Sequence, residues 1–163
     1  MLYALLAAAL VAADQLVKYL VRTYIPLGES IPFLPHIMDL TYVQNTGAAF
    51  SLFQEHTWIL TLVSLAASVA LAGILAGKRV TRHPLGRGLV AVVLAGAVGN
   101  LIDRALLGFV TDMFETTFIN FAVFNVADIC VVVGGIGFCL YYLLLFDKLE
   151  GKEAGHDAPG TDG

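Results

Sequence analysis

Charge is scarce in this chain. Of 163 residues only 13% are Asp, Glu, Lys or Arg, while 58% are hydrophobic. A soluble domain carries about 25% charge and about 45–50% apolar residues. A water-soluble globule is therefore excluded, and so is disorder for all but the tail. Lys and Arg number 9 against 13 Asp and Glu, a net charge of −4. No basic patch is visible, so nucleic acid is not an expected partner. Cysteine is nearly absent. Cys130 and Cys139 share one apolar run, and on a helix they stand roughly 13 Å apart, too far for a disulfide. Both read as core residues. The histidines His36, His56, His83 and His156 are scattered and no H-E-x-x-H occurs, so no metal and no other cofactor is expected. There is no G-x-S-x-G, and no apolar run holds a histidine to serve as base, which argues against serine catalysis. Nucleotide loops and internal repeats are missing as well.

What the chain has is four long apolar runs, at residues 2–21, 57–77, 85–107 and 122–146. A bilayer span needs about 20 apolar residues, so each run predicts one transmembrane helix. The first is no secretory leader. It lacks a basic flank and contains Asp14, Gln15 and Lys18, which such a leader avoids. The fold class expected is an all-α membrane protein: a four-transmembrane-helix bundle with a small extracytoplasmic β-hairpin or sheet between the first two helices. Residues 1–150 form the single domain, and the Gly/Asp-rich tail at 151–163 is expected to be disordered. Lys78, Arg79, Arg82 and Arg87 follow the second run, and Lys148 and Lys152 follow the fourth. The positive-inside rule then puts both termini in the cytoplasm and segments 22–56 and 108–121 outside. Gly28, Pro32 and Pro35 punctuate the first outer segment. Residues 38–43 and 49–53 read as extended, with Asn45-Thr46-Gly47 as the turn between them. Residues 109–114 and 118–121 suggest a smaller extended flap.

Ionisable groups inside a span are unfavourable by about 2.5–3.5 kcal/mol each, and they persist when paired or facing a wet cavity. With a rise of 1.5 Å per residue, Asp14, Asn100, Asp103, Arg104, Asn125 and Asp128 all fall within roughly 5–10 Å of the outer face. Asp112 lies on the outer connection itself. Asp14 and Lys18 are spaced for an i,i+4 ion pair, Asn100, Asp103 and Arg104 share one helix face, and Asn125 and Asp128 share another. Three polar stripes at one depth predict a polar pocket that opens outward. Ser64 and Ser68 read as helix-packing residues.

The chemistry left open is that of carboxylates. Asp112 and Asp128 flank one short connection. Two adjacent carboxylates do not both ionise readily, so the pair can act as general base and general acid together. Such a pair activates water against a peptide carbonyl and protonates the leaving amine. Two other readings stand beside this one. Intramembrane Asp, Asn and Arg also mark proton-coupled transporters and channels, although the polar slab stops halfway across. A non-catalytic membrane assembly or chaperone subunit is the third.

Five motifs carry a resemblance over residues 1–148. They are Asp14-Gln15-x-x-Lys18, Asn45-Thr46-Gly47-Ala48-Ala49-Phe50, Gly99-Asn100-Leu101-Ile102-Asp103-Arg104, Val110-Thr111-Asp112-Met113 and Phe124-Asn125-x-Ala127-Asp128. In this order and spacing the chain resembles the lipoprotein signal peptidase (signal peptidase II) family of bacterial membrane aspartic proteases. The resemblance implies an endopeptidase that removes the signal peptide from diacylglyceryl-modified prolipoproteins, cleaving before the lipid-modified cysteine. It makes Asp112 and Asp128 the catalytic pair. Asn45, Gly47, Asn100, Asp103, Arg104 and Asn125 would line or brace the site, with Asp14 and Lys18 in support. It further implies lipid-modified precursors, membrane lipids and globomycin-type peptides as partners, a monomer, and a place in the bacterial cell membrane. Thr111 and Cys130 depart from the family's usual Val and Ser.

Overall fold

The computed structural model describes residues 1–47, 57–77 and 80–149. The expected strand at 49–53, the Ala48-Ala49-Phe50 end of its motif, Lys78, Arg79 and the tail lie outside them. The elements in chain order are α1 (Leu2–Tyr24), β1 (Ser30–Leu34), β2 (Met38–Asn45), α2 (Thr57–Gly77), α3 (Pro84–Leu107), β3 (Val110–Thr116) and α4 (Val126–Leu144). All four helices are long and apolar enough to cross a membrane. Their outer faces carry exposed Leu, Val and Ile, for example Leu62, Val63 and Val69 on α2 and Val132, Val133 and Ile136 on α4. That is the surface expected where lipid replaces water as solvent.

Helix α3 is the centre of the bundle and packs against α1, α2 and α4. Without a hydrophobic drive between helices in lipid, close packing needs small residues. The buried positions of α3 include Gly86, Ala91, Ala95, Gly96 and Gly99. Gly96 is the tightest: a Cβ there would collide with Ala127 O and lie 2.7 Å from Val131 Cγ2. Both atoms belong to α4, one of them to its backbone. Gly96→Ala is therefore expected to destabilise the protein by about 1–3 kcal/mol. Gly135→Ala, whose Cβ meets nothing within 4 Å, should be neutral or stabilising by up to about 1 kcal/mol. Thermal unfolding in detergent compares the two, and equal transitions would mean that α3 and α4 are not in close contact.

Local signals set the helix ends. Pro84 opens α3, and the His83 imidazole accepts the Leu85 N–H at 3.2 Å. Gly108 closes it at φ 79°, returning its N–H to Arg104 O, as a left-handed C-terminal glycine does. Helix α4 starts later than the hydropathy suggests, at Val126 rather than 122. Asn125 and Asp128 form a capping box in which each side chain accepts the other's backbone N–H, at 3.0 and 3.1 Å. Residues 122–125 are not helical, and Phe124 pairs with Phe114 across an isolated bridge.

The expected small sheet is present, and its pairing differs from a hairpin turned at Asn45-Thr46-Gly47. It has three antiparallel strands in the order β1-β2-β3. The hairpin partner of β2 is β1, joined through residues 35–37 with His36 at φ 63°. Its other neighbour, β3, comes from the connection between α3 and α4. Residues 118–121 form no strand. Asn45-Thr46-Gly47 follows the end of β2 as an Asx turn, the Gly47 N–H donating to Asn45 Oδ1 at 3.0 Å. The sheet is seated on α1 by Tyr42 and Met113, which pack with Val21 and Ile25. The register puts Val43 opposite Asp112 and Asn45 opposite Val110. Two connections far apart in sequence are thereby fused into one platform.

Candidate active site

Asp112 enters from β3. It is buried, and its two oxygens accept from two amides: Asn125 Nδ2 at 2.6 Å and Asn45 Nδ2 at 2.9 Å. Asp128 enters from the first turn of α4 and is half-buried. One oxygen completes the capping box, and the other accepts from Asn100 Nδ2 at 2.8 Å. Asn125 lies under both. Its Nδ2 serves Asp112 and, at 3.2 Å, Asn100 Oδ1, while its Oδ1 accepts the Asp128 N–H. Both N–H donors of that buried amide are thus used and its oxygen accepts, so its orientation is determined by its partners.

The two carboxylates line one cavity of about 450 Å³. Asn45, Asn100 and Arg104 make the rest of its polar wall. Phe121, Val123, Ile129, Val132 and Val133 make the apolar wall. Val132 and Val133 are more than half exposed on the outer face of α4, so the cavity borders the surface that meets lipid. Arg104 Nη1 donates to Ser64 Oγ at 3.2 Å. Its buried Nε has no hydrogen-bond partner among the described residues.

Burial pushes the Asp112 carboxyl from 3.8 up to about 6. The Asn45 and Asn125 hydrogen bonds pull it back, the charge on Asp128 pushes it up further, and Lys18 pulls it down. A raised value has a defined sign for stability. Folded protein keeps a proton at Asp112 that the unfolded chain has released. The stability this contributes is complete below pH 3.8 and lost as pH rises through about 6, a change of about 3 kcal/mol. In thermal unfolding between about pH 4 and 8 the parent should lose stability through that window, and Asp112→Asn should lack the loss. An equal loss in both would assign it to another group.

Behind the cavity lies a second polar layer. Lys18 is fully buried and pairs with Asp14 at 3.0 Å and Asp103 at 3.4 Å. The i,i+4 pair expected on α1 is present, but it is part of a larger network. Asp103 and Arg104 diverge. Asp103 faces α1, and Arg104 faces α2 and the cavity, because adjacent residues on a helix do not share a direction. Of the residues singled out from sequence, Asn45, Asn100, Arg104, Asp112 and Asp128 line the cavity, and Asn125 braces it. Asp14, Lys18 and Asp103 stand behind, and Gly47 secures the Asn45 side chain. Sequence reasoning gave no role to Gln15, Arg22, Thr111 or Gly99. Gln15 Nε2 reaches Asp14, Asp103 and Gly99 O. Arg22 Nη1 donates to Thr111 Oγ1 at 2.9 Å and lies 3.8 Å from Asp103. Gly99 admits Asp14, since a Cβ would sit 2.6 Å from its Oδ2. Gln15, Gly99 and Thr111 stood inside the motifs that carry the resemblance, whereas Arg22 offered no signal beyond its charge at the end of the first apolar run. Ser64, read as a packing residue, also holds Arg104.

A family model described as Signal peptidase (SPase) II matches residues 6–145. The lipoprotein signal peptidase of Enterococcus faecalis is 41% identical over 153 residues, covering 93% of this chain and 92% of that protein. Those of Clostridioides difficile and Nostoc sp. are 42% and 44% identical, covering 91% and 90% of this chain and 99% and 88% of theirs. Among solved structures, one described as a bacterial membrane enzyme determined by the in meso method at 2.3 Å resolution superposes with a TM-score of 0.80. It is 29% identical, with 90% of this chain and 88% of that one covered. A second of the same description, at 1.9 Å resolution, gives 0.79 at 28% identity, covering 88% and 93%.

Proposed function

The chain belongs to the signal peptidase II family, and from that premise we propose that Asp112 and Asp128 are the catalytic pair with which it cleaves lipoprotein precursors. It is a multi-pass membrane protease. The observation that carries the assignment is Asn125, whose side chain holds Asp112 and whose capping box holds Asp128 at one cavity. With one proton between them, the ionised carboxylate takes a proton from water as its oxygen bonds to the scissile carbonyl carbon. The protonated one gives its proton to the leaving amine as the C–N bond breaks. No covalent enzyme intermediate is required. The Arg104 guanidinium, a positive charge on the cavity wall, is suited to stabilise the carbonyl oxygen as charge develops there.

The substrate is a precursor whose cysteine carries a diacylglyceryl group, cut just before that cysteine. The Val132 and Val133 side of the cavity faces lipid, so acyl chains can remain in the bilayer while the peptide bond reaches the carboxylates. Asn45, Gly47, Asn100, Asp103 and Asn125 brace the site, with Asp14 and Lys18 supporting from behind. A globomycin-type peptide would occupy the same cavity, and one copy of the chain suffices for activity. The distribution of Lys and Arg supports cytoplasmic termini and a cavity near the outer face of the bacterial cell membrane. Purified protein incubated with a diacylated precursor peptide should yield a signal peptide and a lipopeptide beginning at the modified cysteine, read by product mass. Cleavage elsewhere, or equal turnover of the unlipidated peptide, would remove this substrate assignment.

A further inference from the structure

Two buried carboxylates hold the chain immediately before each member of the pair. Asp103 Oδ2 accepts the Thr111 N–H at 2.8 Å, one residue before Asp112. Asp14 Oδ1 accepts the Ala127 N–H at 2.9 Å, one residue before Asp128. The second of these also satisfies a helix N-terminal amide that has no partner within α4. Lys18 stands between the two carboxylates, 3.0 Å from Asp14 Oδ2 and 3.4 Å from Asp103 Oδ2. Its third arm donates to Asn100 Oδ1 at 3.0 Å. The same Asn100 amide donates to Asp128 Oδ1. Gln15 Nε2 spans the same two carboxylates at 3.1 and 3.2 Å.

An ammonium has three protons, and the three acceptors nearest to Lys18 are each one bond from Asp128 or from the backbone beside a catalytic Asp. Charge compensation alone explains the contacts with Asp14 and Asp103. It does not explain the contact with Asn100, whose acceptor end takes Lys18 at 3.0 Å and Asn125 Nδ2 at 3.2 Å, so that Lys18, the nearer donor, shares with Asn125 in turning the amide's donor end toward Asp128. The geometry points to Lys18 as a positioning residue that sets the separation and aim of Asp112 and Asp128, an inference that rests on their assignment as the catalytic pair.

Lys18→Met keeps the bulk of the side chain and removes its charge and donors. The expected result is a fall in kcat of about 10²-fold, the scale of a 1 Å misplacement. KM should stay within about twofold, because Lys18 does not line the cavity. A folded Lys18→Met protein with parental kcat overturns the inference. The companion Lys18→Met/Asp14→Asn restores the balance of buried charge and leaves an oxygen for Ala127. Its stability should return toward the parent while kcat stays at least about tenfold low. Recovery of both overturns the inference. If neither variant folds, amide exchange in the unaltered protein decides. Thr111 and Ala127 in the slowest-exchanging class support the inference, and exchange at loop rates at either overturns it. Asp112→Asn, assayed in parallel, separates the two levels. Normal turnover there removes the pair itself, whereas loss there with parental kcat in Lys18→Met removes only the strut.

Discussion

Asp112→Asn is expected to abolish cleavage of a diacylated precursor while the protein stays folded and inserted, and Asp128→Asn is expected to do the same. Each change removes one ionisable oxygen from a pair that must hold a proton and a negative charge at once. General acid–base catalysis contributes about 10²–10⁴-fold per group, so the loss should reach about 10³-fold or more in kcat. The fold should survive for identifiable reasons. Asn at 128 retains an oxygen for the Asn125 N–H, so both bonds of the capping box can remain and only the acceptor for Asn100 Nδ2 is lost, a deficit of about 1 kcal/mol. Asn at 112 retains an oxygen for one of the two amides that now bind Asp112. Intact thermal transitions with no product define the expected outcome. Turnover within about tenfold of the parent by either variant would show that its carboxyl takes no part in the proton transfers.

The second large effect is on stability. Asp14→Ala should destabilise the protein by about 3–5 kcal/mol, the scale for removing one partner of a buried ion pair. Lys18 is 0% exposed and would keep only the longer of its two Asp14/Asp103 ion pairs, that with Asp103, beside its hydrogen bond to the neutral Asn100 amide. The Ala127 N–H would lose its acceptor at the same time. Asp14→Asn should lose less, since an amide oxygen can still receive that N–H. Thermal unfolding in detergent at neutral pH measures both. A loss under about 1 kcal/mol for Asp14→Ala would indicate that water reaches Lys18 and replaces the carboxylate. Depth in the membrane makes Asp14 costly to lose, although it lies behind the cavity and not on it.

The outline of the bundle was legible because each of its signals is local. Span length, hydropathy and the absence of charge from residues 57–77 located α2, which is observed at Thr57–Gly77. The i,i+4 relation of Asp14 and Lys18 needed only helical geometry. The start of α4 was less legible. Hydropathy extends through 122–124, and the capping box that opens α4 is a polar signal inside an apolar run. The sheet was half legible: residues 38–43 carried strand character, but nothing local pairs them with 110–116.

Composition and pattern by themselves determined that this chain has four helices able to cross a membrane, and they predict its carboxylates and amides at one level, because solvation in lipid and helical periodicity act over neighbouring residues. Tertiary structure alone decided that Asn125 meets Asp112, that Asp14 meets Ala127, and that Asp103 and Arg104 part company. Those contacts depend on how closely α3 lets α1 and α4 approach. That distance is set by the missing side chains of Gly96 and Gly99, whose effect exists only once the helices are packed.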